Sequence, residues 1–85
     1  MAVSLAELEV DSKILIAEEI TSAILKKYRT LPKDGQSFMV EDVLTDRFMD
    51  TIRNKVKDFY RNTIERDIEL DITKEDFVNI YYHKA

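Results

Sequence analysis

The sequence predicts a mostly α-helical single domain. A helical hairpin of residues 12–30 and 39–66 turns at 31–37, and a short strand at 68–72 and a C-terminal helix at 74–82 follow. Three observations carry this. An apolar residue recurs every fourth position in Val40, Leu44, Phe48, Ile52, Val56, Tyr60, Ile64 and Ile68, with no Gly or Pro between them. The only Gly and only Pro of the 85 residues stand together in Leu31-Pro32-Lys33-Asp34-Gly35-Gln36-Ser37, where Pro presets φ and Gly takes a positive φ cheaply. Helical spacing then gives way to period two in Ile68-Glu69-Leu70-Asp71-Ile72.

Residues 5–10 read two ways. Glu7-Leu8-Glu9-Val10 alternates and can pair with 68–72 as a minor two-stranded ribbon, whereas Ser4 and Glu7 form a capping box that opens a helix at Leu5. The first helix is capped by Asp11 or Ser12, with Glu18 and Glu19 early and Lys26, Lys27 and Arg29 late, the order the helix dipole favours. Its apolar residues, from Ile14 to Tyr28, cover roughly 200° of the wheel against the 100° a surface helix needs, so the helix is expected to be buried on more than one side.

The second helix carries a geometric conflict. A strict four-residue step overshoots the 3.6-residue turn by about 40° each time, so the apolar line winds around the helix. Unbroken, the helix would run about 40 Å, against a diameter near 30 Å for a compact chain of this size. Either it breaks, or more than one partner covers it. Met39 and Met49 read as core filler. Thr73 caps the last helix, whose Phe77, Ile80 and Tyr81 share one side.

Composition excludes more than it assigns. There is no Cys, one His and one Gly, so disulfides, thiolate metal sites, multi-histidine centres and Gly-rich phosphate loops are ruled out within one chain. No cofactor or metal is expected, and no catalytic residue is assigned. His83 has neither a fixed nucleophile nor a positioned carboxylate beside it in the sequence. Asp42, Asp46 and Asp50 form a carboxylate ridge that reads first as acidic residues gathered at a helix N-terminus. The longest apolar run, Ile14-Leu15-Ile16-Ala17, is too short to span a membrane, and Met1 to Leu5 lacks the pattern of a signal peptide. A cytoplasmic location is the default expectation.

Two surfaces are candidates. Arg53, Lys57 and Arg61 lie four apart and interleave with Phe59 and Tyr60, as on a helix that lies along phosphates. Asp50, Asp58 and Glu65 are close enough to pair with them, and the net charge is −4, so nucleic-acid binding is the alternative reading. Phe77, Ile80, Tyr81 and Tyr82 concentrate large apolar side chains at the chain's end, the type that anchors interfaces; the other reading of this helix is that it closes the chain's own core. The function expected is that of a small, non-enzymatic, self-associating protein. It forms a two-fold dimer and acts on a protein partner as a regulatory, inhibitory or assembly factor.

Overall fold

A computed structural model describes residues 1–83. Strand β1 (Ala2–Ser4) is followed by α1 (Val10–Tyr28), α2 (Phe38–Val43), α3 (Asp46–Phe59), β2 (Glu69–Asp71) and α4 (Lys74–Tyr82). The mostly helical class, the helical hairpin, the late strand and the closing helix are all present. α1 packs against α2, α3 and α4, so the first long helix is the centre of the assembly.

The N-terminal ambiguity resolves into both motifs, one residue group apart. β1 and β2 pair in parallel, with Ala2 opposite Glu69, Val3 opposite Leu70 and Ser4 opposite Asp71. The ribbon therefore uses residues 2–4, not 5–10. Residues 5–7 instead form a single 3-10 turn. The Ser4 backbone N–H and hydroxyl both donate to Glu7 Oε1, at 3.2 and 2.9 Å, which ends the strand.

α1 starts earlier than the caps suggest. Ser12 is fully buried and its hydroxyl donates to the Glu9 carbonyl at 2.7 Å, so it lies within the helix rather than at its cap. The Glu9 N–H is satisfied at long range by the Tyr60 hydroxyl, at 2.9 Å. No local pattern announces that partner. The helix closes on Arg29 in the left-handed conformation, φ 63°, whose N–H donates to the Leu25 carbonyl. The turn follows as expected, with Gly35 at φ 82°.

The conflict in the second helical segment is settled by breaking it. α2 ends at Val43, Leu44 leaves the helical region, and extended Thr45 caps α3 by accepting the Phe48 N–H at 3.2 Å. At the far end the chain widens into a π-helical turn over Tyr60–Ile64 and stops at Glu65, φ 58°. The i→i+5 pattern of a π turn holds more residues per turn, which absorbs the overshoot of a four-residue step. With both adjustments Val40, Leu44, Ile52, Val56, Tyr60 and Ile68 are all buried, while Phe48 and Ile64 are half-buried against the same core. One chain thus covers the winding line, and the line ceases to be a reason for a second copy.

Ile16, Ile20 and Ile24 of α1 meet Met39, Val40 and Val43 of α2, Met49, Ile52 and Val56 of α3, and Phe77, Ile80 and Tyr81 of α4 in one cluster. Among the described residues no helix is long and apolar enough to cross a membrane.

Candidate functional site

The basic face of α3 is occupied by the chain's own acceptors. Arg53 sends one guanidinium nitrogen to Asp50 at 2.8 Å and another to the Ile72 carbonyl at 2.9 Å, and its plane lies 5.2 Å from the Phe77 ring centroid. It is a clasp that ties α3 to the junction of β2 and α4. Lys57 reaches Glu69 at 2.9 Å. Arg61 pairs with Asp67 at 3.0 Å and Asp58 at 3.5 Å. The Asp67 hydrogen bond, and then its charge, hold the Arg61 guanidinium more firmly protonated than usual. Asp50 and Asp58 pair as the sequence suggests. Glu65 instead occupies the left-handed cap, and the other acids, Asp67 and Glu69, come from the segment that folds back along α3. Spacing along one helix reveals only the first kind of pair.

The carboxylate ridge is taken apart by the break at Leu44–Thr45. Asp42 stays on α2 and faces α1, where its carboxylate accepts from Lys27 and, at 2.6 Å, from the Tyr28 hydroxyl. The Lys27 bond foremost, then the Tyr28 bond, hold the Asp42 carboxyl below its usual range. The same carboxylate holds the Tyr28 hydroxyl proton more tightly and raises that group. Asp46 opens α3, and Asp50 belongs to Arg53. Among the described residues no three His, Cys, Asp or Glu side chains come together as metal ligands would.

The four C-terminal residues divide sharply. Phe77 is fully buried and Ile80 and Tyr81 nearly so, while Tyr82 is 47% exposed and stacks edge-on against Tyr81 with centroids 5.1 Å apart. As partner-facing residues Phe77, Ile80 and Tyr81 are corrected. α4 rests on α1 and α2, so these three are core of the chain itself, and only Tyr82 of the set meets solvent. Burial also raises the Tyr81 hydroxyl above its ordinary pKa. His83 ends α4, its N–H donating to the Asn79 carbonyl at 2.9 Å.

A surface that site-by-site reading of the sequence passes over lies on α1. The wide apolar arc predicts burial on more than one side. The neighbouring helices cover one side, with Ser12, Ile16, Ala17, Ile20 and Ile24. On the other, Val10 is 56% exposed, Ile14 40% and Leu25 43%. At about 100° per residue, Val10, Thr21, Ile14 and Leu25 fall within roughly 60° of one another, so they form one strip along the helix. Its length, Val10 to Leu25, is about 22 Å at 1.5 Å per residue. The acid Asp11 flanks it near the start, Glu18 near the middle and the base Lys26 near the end, all three exposed. The signal for this surface was the width of the arc itself.

Comparison of the chain with protein-family models, with curated proteins and with solved structures gives no match.

Proposed function

We propose that this chain is a small cytoplasmic binding protein that self-associates and acts on another protein as a regulatory, inhibitory or assembly factor. The observation that supports the reading is the exposed Val10–Ile14–Leu25 strip on the helix around which the fold is built. Single exposed aliphatic residues are ordinary, but three large ones aligned on one helix face repeat the pattern by which amphipathic helices recognise partners. The strip runs along the longest helix, from its first residue, Val10, to Leu25 in its last turn, so the backbone that carries it is already ordered before binding. The reading is a non-enzymatic one, in keeping with a sequence that has no Cys, one His and no Gly-rich phosphate loop.

The alternative of nucleic-acid binding loses support from the α3 face, because Arg53, Lys57 and Arg61 already hold carboxylates or a carbonyl of the same chain. A phosphate would have to displace those partners on a protein of net charge −4.

The test is light scattering across a concentration series, for the native chain and for Leu25→Asp. A mass that rises toward two chains in the first and stays at one in the second supports the reading. A native chain that stays monomeric refutes the self-association in it. A nucleic-acid complex that survives physiological salt, and that Lys57→Ala and Arg61→Ala abolish, promotes the alternative.

A further inference from the structure

We propose that the partner of the α1 strip is the α1 strip of a second copy, laid antiparallel across a two-fold axis that passes between Ala17 and Glu18. The proposal rests on the self-association reading above and specifies its geometry.

The first argument is symmetry. A two-fold contact requires a surface that is complementary to itself after rotation. The strip has this property along its length. The midpoint of Val10 and Leu25 is also the midpoint of Ile14 and Thr21, and it falls between Ala17 and Glu18. An antiparallel mate centred there sets Val10 opposite Leu25 and Ile14 opposite Thr21. Every apolar side chain of the strip then has an apolar side chain or a threonine methyl to cover it. Thr21, which is partly covered, is small, so the two helices can approach closely where it meets Ile14.

The second argument is charge. The exposed charged residues along the strip run from acid to base: Asp11 near its start, Glu18 at its centre, then Lys26 at its end. A parallel mate would set Asp11 beside Asp11, Glu18 beside Glu18 and Lys26 beside Lys26, and would align the two helix dipoles. The antiparallel mate brings the Asp11 end of one helix to the Lys26 end of the other and opposes the dipoles. One like-charge contact is left, Glu18 with its own symmetry mate near the axis. A seam one helix long is smaller than the roughly 1,200 Å² of total buried surface that marks stable complexes, so the dimer is transient and concentration-dependent. Glu18 keeps it so, because a carboxylate at a two-fold axis opposes association each time it forms.

Cysteine cross-linking reads the geometry directly, because the native chain has no Cys to interfere. Glu18→Cys alone should form a covalent dimer on mild oxidation. Val10→Cys and Leu25→Cys should link to each other when mixed, and poorly to themselves. In sedimentation equilibrium Glu18→Gln should tighten the dimer roughly two- to fivefold, the range for an exposed charge pair. Ile14→Asp should loosen it about tenfold or more. Both positions are exposed on α1, and circular dichroism checks that each variant keeps native helicity. Self-linking of Val10→Cys in preference to the mixed product overturns the antiparallel arrangement. A dimer that forms but cross-links at none of these positions places the seam elsewhere, and overturns this proposal while leaving self-association intact. A chain that sediments as a monomer at every concentration refutes both.

Discussion

Replacing Arg53 by Ala tests whether the cations of α3 serve the fold or a ligand. Arg53 is 24% exposed in its side chain, against 61% for Arg61. Its most protected contact is the hydrogen bond to the Ile72 carbonyl, part-buried and 2.9 Å long. A hydrogen bond from a charged donor contributes about 1.5–3 kcal/mol. The guanidinium over Phe77 adds about 0.5–2 kcal/mol, and the pair with exposed Asp50 adds little. These contacts share one side chain and do not sum. A loss of about 2–3 kcal/mol is expected, which for a domain of this size lowers Tm by about 8–24 °C. Arg61→Ala removes only exposed ion pairs and should leave Tm unchanged within error. Arg53→Lys should fall between native and Ala, because one ammonium cannot serve carbonyl, carboxylate and ring together. Thermal melts followed by circular dichroism decide the matter. Equal Tm shifts for Arg53→Ala and Arg61→Ala would refute the clasp.

The other expectations are simpler. Ile52→Asp puts a charge with no partner into a fully buried position and should cost more than about 4 kcal/mol, whereas Asp46→Ala at an exposed helix start should cost about 0.5 kcal/mol, both read from urea midpoints. Thr45→Ala removes the side chain that accepts the Phe48 N–H and should cost about 1 kcal/mol by the same assay, and Thr45→Ser should restore most of it. The Asp42 carboxyl is held below its ordinary value of 3.8 in the folded chain, so the unfolded chain binds its proton first as acid is added. The stability it contributes is fully present above that ordinary value, and is lost as pH falls through the lower folded value. Asp42→Asn should therefore flatten the acid side of the stability-versus-pH curve and leave the slope near neutral pH unaltered.

Local chemistry alone was enough for much of this fold. The turn around Gly35, the capped start of α4 at Thr73 and the strand at 69–71 rest on φ preferences, hydroxyl caps and side-chain alternation, all of which act within a few residues. The buried members of the four-residue series were legible for the same reason, since spacing states which residues share a side. What spacing does not state is what covers that side. The breaks at Leu44–Thr45 and Tyr60–Ile64 put the whole winding line inside one chain. The position of α4 on α1 made Phe77, Ile80 and Tyr81 core instead of surface. Pairing of β1 with β2 brought residues 69 and 72 back along α3, where they meet Lys57 and Arg53. Each of these depends on contacts between residues far apart in the chain, whose energies exceed local preferences of a few tenths of a kcal/mol. The α1 strip shows the division most clearly. The sequence by itself determined that α1 has more apolar surface than one helix face can bury, and only the tertiary structure decided which part, Val10, Ile14 and Leu25, was left facing water.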